Sequence, residues 1–458
     1  MEEVKMKDTG LFRTFIKYVS LNIVGMLGIS FYILADTFFI ARGVGEDGLT
    51  ALNLAIPVYN FAHGCALMFG MGGATKYSIY KSQGKQKKMD AVFMNTVYMG
   101  IIFAIFFVCC GLFLSEQITG WLGANEKVFE MTNTYLKVIL QFSPMFIFNE
   151  IFLCFFRNDG NPKLTTIAML AGSISNIVFD YILIFIFNMG ILGAVLATGC
   201  SPIISITIMF ISYHRKKQKG IPYGFGFRKT NMESSLIKST VSIGIPSLVT
   251  EFSSGIVIIV FNYLILGIEK NTGVAAYGVI ANLSLVVISV FTGMGQGIQP
   301  IISRRYGTGE QKSVKKILKY AVLATICLSV ILYGMIYLNA DSIAGLFNSE
   351  KNAHLQKMAV EGLKLYFLGT MFAGLNIVIS SYFAAIEKSI PAQVISVLRG
   401  IAVIIPVSIL FAVLYKMTGI WWSFPVAEGI TCLIAIGMLC MLKGQKGERN
   451  ENTVTRSR

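Results

Sequence analysis

Five carboxylates lie well inside long apolar stretches of this 458-residue chain: Asp36, Glu150, Asp180, Glu251 and Glu428. If those stretches lie in lipid, each acid costs at least about 2.5–3.5 kcal/mol at mid-bilayer and must face a cavity, an ion or a partner. Asp36 and Asp180 fall near the same end of the first and fifth stretches, and Thr198 falls at that depth in the sixth. Asn176 and Asp180 are four residues apart, so they share one helical face. Two carboxylates, an amide oxygen and a hydroxyl form an oxygen-rich set. Na+ would use the oxygens directly. A proton would instead neutralise a carboxylate that burial and a like-charged neighbour disfavour as the anion. Structural roles compete with this reading, because Asn and Asp also cap and cross-link membrane helices. Glu251 sits mid-stretch, in Thr250-Glu251-Phe252-Ser253-Ser254-Gly255, where a cationic substrate or a proton could use it. Glu150 and Glu428 have a plainer alternative, pairing with an intramembrane base such as Arg399.

The elements that must hold these groups follow from composition. Hydrophobic residues make up 54% of the chain and charged residues 14%, against roughly a quarter charged in soluble domains. Mean hydropathy is +0.66. No soluble core hides so much apolar side chain, so the solvent must be lipid. Scanning for stretches of about 20 apolar residues places spans at 15–41, 49–75, 91–114, 131–156, 164–187 and 191–213. A second set follows at 236–267, 274–302, 317–338, 358–385, 392–414 and 420–442. The first is longer than a signal-peptide core of about 7–15 residues and lacks its small-residue cleavage site, so it is expected to be retained. The eight cysteines all lie in or at the ends of apolar stretches, without metal-ligand spacing, and read as packing residues.

The net charge is +15, from 39 Lys+Arg against 24 Asp+Glu. The basic residues sit in short runs between the spans. With Lys17, Lys238 and Lys319, each two residues inside a span, counted with the side they adjoin, twelve spans put 30 of the 39 on the side that carries both termini, six on the other side, and Lys137, Lys364 and Arg399 within spans. Basic loops stay cytoplasmic, so both termini are expected in the cytoplasm of a cell-membrane protein. A nucleic-acid partner is not expected, since aromatic-interleaved basic patches on a soluble face are missing. The two sets of six spans repeat. Gly70-Met71-Gly72-Gly73 matches Gly293-Met294-Gly295-Gln296 at an offset of 223, and Asn161-Pro162 matches Ile390-Pro391 at 229. An even number of spans per repeat makes the repeats parallel, related by a pseudo-twofold axis along the membrane normal. The expected fold is therefore all-α and integral to the membrane, with twelve transmembrane helices in two six-helix lobes. Residues 1–213 form the first lobe, 214–235 a basic cytoplasmic linker, 236–442 the second lobe, and 443–458 a cytoplasmic tail.

Several short motifs, taken in order on this duplicated chain, resemble the multidrug and toxic compound extrusion (MATE) family, in particular its bacterial exporters of the Gram-positive type. They are Ala35-Asp36-Thr37-Phe38-Phe39-Ile40, Gly70-Met71-Gly72-Gly73, Gly160-Asn161-Pro162-Lys163, Ser175-Asn176-Ile177-Val178-Phe179-Asp180, Ala197-Thr198 and Gly244-Ile245-Pro246. The resemblance covers nearly the whole chain. It implies two lobes in a V that alternate access, and export of amphipathic, often cationic drugs in exchange for Na+ or H+. It implies a first-lobe cation site at Asp36, Asn176, Asp180 and Thr198, and likens Glu251 to an acid some members use in their seventh span. Two departures stand out. The tenth span carries only Glu361, near its outer end, which puts a second-lobe cation site in doubt. The first span has no proline, so any bending there falls to Gly25 or Gly28.

Other classes fit less well. A lipid-linked oligosaccharide flippase of the same superfamily would line its cavity with several bases for phosphate, and only Lys137, Lys364 and Arg399 are available. A membrane enzyme would need a soluble active-site loop or a His/Asp cluster, and the chain offers neither, so no catalytic residues are expected. No cofactor is expected beyond the coupling ion. The expected partners are small-molecule drugs and membrane lipids, with the chain acting as a monomer.

Overall fold

The computed structural model describes residues 8–348 and 352–455. The first seven residues, and residues 456–458 of the expected tail, lie outside the described residues. Nine helices among the described residues are long and apolar enough to cross a membrane, ten with one bent pair taken as a single span. Two of these contain a reversal, which brings the count to twelve. In Ser234–Gly307 the backbone leaves the helix at Lys270 (φ 54°, ψ −148°). The rings of Phe261 and Tyr277 then stack with centroids 5.4 Å apart, whereas sixteen residues of straight helix would separate them by about 24 Å. A similar turn at Lys416 (φ 51°, ψ −130°) separates the last two spans. The expected loop at 268–273 is thus nearly absent, and helix continues to within a residue of each turn.

Internal duplication is visible in irregularities as much as in helices. The fourth span is two helices, Glu126–Gln141 and Ser143–Asn158, bent by 47°, with Pro144 opening the second. A single helix was expected over 131–156. The tenth span likewise breaks at Phe367–Gly369. Asn125 caps the fourth span by accepting from the backbone N–H of Lys127 and Val128. Asn352 caps the tenth by accepting from His354 and Leu355. The fifth span widens from an α-helix into a π-type turn at Tyr181–Ile186, and the eleventh does so at Leu398–Ala402. Such widenings recur at functional sites because they free backbone groups and re-aim side chains.

The halves touch along two related seams. On one, spans two and seven approach backbone to backbone. A Cβ on Gly72 would lie 2.0 Å from the Thr240 carbonyl oxygen, and one on Gly244 would lie 1.9 Å from that of Met68. On the other, spans eight and one meet where a Cβ on Gly293 or Gly297 would come within 2.7 or 2.8 Å of Ile23 or Val19 Cα. The repeated Gly-Met-Gly motif therefore lies on both seams. At the end of the bundle where the chain begins, the inner end on the expected orientation, Gln299 donates to Thr75 at 2.6 Å, Asn158 donates to Gln299 at 3.0 Å, and Lys76 pairs with Glu387 at 2.5 Å. Leu11, Phe15 and Val19 of span one are buried with second-half residues such as Met294 and Phe383, so this helix bridges the two cores.

The basic linker is more than a solvated chain. Span six runs to Gln218 and the next helix begins at Ser234. Between them Tyr223 and Phe225 are buried against Phe155 and Phe156 of span four, while Arg228 and Lys229 stay exposed.

Candidate coupling site and central cleft

The first-lobe set comes from three helices. Gly25 and Gly28 let span one close onto Met169 and Leu170 of span five, and Gly172 lets span five close onto Ser201 of span six. That packing brings Asp36, Asn176, Asp180 and Thr198 to one place. All four are buried, with Asn176 and Asp180 at 0% exposure and Asp36 and Thr198 at 7%. The Asn176 amide, oriented to satisfy both of its ends, donates to Asp180 Oδ2 at 3.0 Å and accepts from the Thr198 backbone N–H at 3.2 Å; that orientation follows from the network. The Thr198 hydroxyl donates to the Ala194 carbonyl at 3.1 Å. Asp36 and Asp180 lie within hydrogen-bonding reach of each other, and Oδ1 of each is buried without a partner. Asp180 ends its α-helix directly before the π-type turn, so the widened backbone begins at the acid.

Two adjacent carboxylates in a low dielectric repel unless a proton or a cation comes between them. Two orphaned acceptor oxygens, with the Asn176 amide and the Thr198 hydroxyl beside them, fit either. Tyr135 of span four also belongs here: its hydroxyl reaches Thr198 and it faces both aspartates. Sequence reading passed over it because nothing in its spacing distinguishes one buried tyrosine from the others.

Glu251 lies elsewhere, on the face of span seven that meets span two. Its Oε2 is 3.5 Å from His63 Nδ1, and His63 Nε2 is 3.8 Å from Glu150 Oε1. His63 was legible as a signal, being the only histidine of three that falls within a span. Glu251 also lines a cavity of about 90 Å³ with Thr75, Ser247, Thr250, Gln296 and Arg399. Glu428 takes the plainer of its two readings. Arg399 donates to its Oε1 from Nη2 at 2.8 Å and from Nε at 3.2 Å, and Asn376 donates to its Oε2 at 2.6 Å. Glu361 accepts from Thr418 at 2.7 Å near the outer end. Arg157, counted by position with an inner loop, is 1% exposed in the last turn of span four.

The MatE family model matches residues 22–182 and 246–414. The multidrug export protein MepA of Staphylococcus saprophyticus is 26% identical over 420 residues, covering 92% of this chain and 91% of its own. The protein of the same name from Staphylococcus aureus strain NCTC 8325 is 27% identical over 424 residues, with the same coverage. A multidrug resistance MATE family transporter of the MOP superfamily, solved in an outward-facing conformation, superposes with a TM-score of 0.88 at 19% identity, over 96% of this chain and 100% of that one. A MOP superfamily transporter from Pyrococcus furiosus gives 0.86 at 20% identity, over 96% and 98%. Both repeats match the family, and the twelve-helix fold is shared over nearly the whole length: this multi-pass membrane chain belongs to the MatE family.

Proposed function

We propose that this protein is a secondary multidrug exporter of the cell membrane, expelling amphipathic and often cationic compounds in exchange for Na+ or H+ bound by Asp36, Asn176, Asp180 and Thr198. The observation that carries the reading is the pair of buried aspartates on different helices, within hydrogen-bonding reach of each other and each with one oxygen that finds no partner among the described residues. Both staphylococcal relatives are named multidrug export proteins, which supports the drug side of the exchange. Residues 1–213 and 236–442 act as the two lobes, and both termini face the cytoplasm, as the 30-to-six division of basic residues favours. The chain works as a monomer and needs no cofactor besides the coupling ion.

The cycle follows from differential binding. Drug enters the cleft between the lobes from the cytoplasm. After the lobes close at the inner end, a cation or proton from outside neutralises Asp36 and Asp180, which draws span one against span five. A ligand shifts such an equilibrium only by binding one arrangement better than the other. Here the ion favours the packed span and the drug the relaxed one, so uptake of the ion expels the drug. Everted vesicles under an imposed pH or sodium gradient test this. Asp180→Asn is expected to abolish gradient-driven ethidium transport at unchanged expression, and the gradient that drives the wild type names the ion. Full efflux by Asp180→Asn would remove the site from the mechanism.

A further inference from the structure

His63, Glu150 and Glu251 meet across the two halves, and the coupling scheme gives them no task. The side chains are 23%, 12% and 28% exposed, so the cluster is not sealed inside the protein. Both ring nitrogens of His63 face carboxylate oxygens, at 3.8 and 3.5 Å. A neutral imidazole carries one N–H and one lone pair, so one nitrogen would set its lone pair against an anion. The imidazolium presents two donors and suits both neighbours. Neither contact is as short as a hydrogen bond, so the ring is held by charge more than by fixed geometry. The other charged or titratable neighbours are accounted for. Tyr59 stacks on the ring at 5.8 Å and 12°, and its hydroxyl reaches Tyr32. Arg157 lies on the inner side of Glu150. Arg399, across the cavity from Glu251, is held by Glu428. With His63 charged, the cluster carries one net negative charge.

A separate observation points to a cation. The cavity beside Glu251 is also lined by Gln296, which is 8% exposed and whose Oε1 has no partner among the described residues. A buried acceptor left unpaired beside an anion is matched by a donor or a positive charge. Aromatic side chains lie near the cluster on the same spans. Phe61 and Phe252 meet across the halves at 5.5 Å and are 36% and 39% exposed, and Tyr59 contacts Phe146 at 5.4 Å. Carboxylates flanked by open rings recognise organic cations through charge and through the ring faces.

We propose that Glu150 and Glu251 form an organic-cation site whose built-in counter-ion is the protonated His63, so that a cationic drug binds as His63 gives up its proton. One ring N–H bond breaks, the electron pair stays on nitrogen, and the proton passes to water in the cleft. One positive charge replaces another, so the pair of carboxylates stays compensated throughout. The proposal rests on the export reading and adds that proton and drug compete at the drug's own site, apart from the ion held by Asp36 and Asp180.

Tetraphenylphosphonium binding to the purified full-length protein in detergent, with proton release followed in weakly buffered solution, tests it. The wild type is expected to release one proton per cation bound, with affinity falling about tenfold for each pH unit below the histidine's titration. His63→Gln in the Asp180→Asn background, which removes exchange at the coupling pair, should release none and bind with an affinity that is flat between about pH 5.5 and 8. His63→Lys installs a permanent cation and should bind about tenfold or more weakly than His63→Gln at every pH; misfolding cannot produce opposite shifts from two substitutions at one position. Asp180→Asn should retain the wild-type proton release. Release that persists in the His63→Gln/Asp180→Asn double variant, or that is already lost in Asp180→Asn alone, overturns the site alone. No tetraphenylphosphonium binding by the wild type overturns the organic-cation export reading, and the site with it.

Discussion

The Arg399–Glu428 pair shows how one residue's partner decides what it can do. Glu428 is 3% exposed, and its carboxylate takes two bonds from Arg399 and one from Asn376. With that much compensation its charge is committed to holding spans ten, eleven and twelve together. Asp36 and Asp180 are the opposite case, each with an oxygen that nothing among the described residues satisfies. The same side-chain chemistry is therefore fully compensated in one half and left uncompensated in the other. Removing one member of a buried pair leaves the other charged and unpaired, at about 3–5 kcal/mol, while replacing both with apolar groups is often close to neutral. Arg399→Ala is expected to lower the melting temperature of the purified protein sharply, and the double variant Arg399→Met/Glu428→Leu to recover most of the loss. Equal destabilisation by the single and double variants would mean that the pair does not act as a unit.

At the scale of elements, the linker between the halves is docked along its length. Gln86 donates to the Gly224 carbonyl at 2.9 Å, Arg228 pairs with Asp90 at 3.1 Å, Tyr98 donates to the Thr230 carbonyl at 3.3 Å, and Glu233 N–H donates to Asn95 at 2.9 Å. Phe225, 2% exposed, is its anchor. Phe225→Ala should cost about 3–5 kcal/mol and open the segment to trypsin at Arg228 and Lys229, whereas Lys229→Ala should leave stability within about 0.5 kcal/mol. Equal trypsin resistance of Phe225→Ala and wild type would show that the anchor is elsewhere. Nothing in the sequence revealed this docking: a run as basic as His214–Lys219 reads as solvated, and the aromatics after it are too few to show a period. The spans, their number and the duplication were legible, because lipid imposes length and polarity on every crossing. So was the grouping of Asp36, Asn176, Asp180 and Thr198, since acids in apolar helices are rare enough to be noticed one by one. The break in span four was not, because bending there depends on packing against its neighbours as well as on Pro144. Nor was the choice of Glu428 over Glu150 by Arg399, which depends on how the eleventh and twelfth spans face each other after the turn at Lys416.

For the whole molecule, the question is what holds the inner end shut and how easily it opens. The two seams are built at backbone distance, which only glycine permits. Alanine at 244 would place its Cβ 1.9 Å from the Met68 carbonyl oxygen, so spans two and seven would have to part by roughly 1 Å or more to reach ordinary contact. Packed interfaces respond to such insertions by switching arrangement more readily than by stretching. The Lys76–Glu387 ion pair crosses the same end, and Glu387 adopts φ 59°, a left-handed backbone conformation that costs a non-glycine residue about 1 kcal/mol or more. At the matching helix end in the first half the chain uses Gly160, with φ +105°. A strained glutamate where glycine would serve fits a side chain needed for the contact across the halves. Gly244→Ala and Glu387→Gln should therefore both bias the lobes toward opening at the inner end, the first more strongly. Gly278→Ala should not, because a Cβ there meets nothing within 4 Å. Spin labels on the inner ends of spans two and eight would report the change as a longer distance population in Gly244→Ala, with transport falling as the closed state is depleted. Because each 1.4 kcal/mol changes the ratio of states about tenfold, a clash of this kind should be visible in the distance distribution. An unchanged distribution in Gly244→Ala, alongside a normal transport rate, would mean that the inner seam yields locally and does not control access.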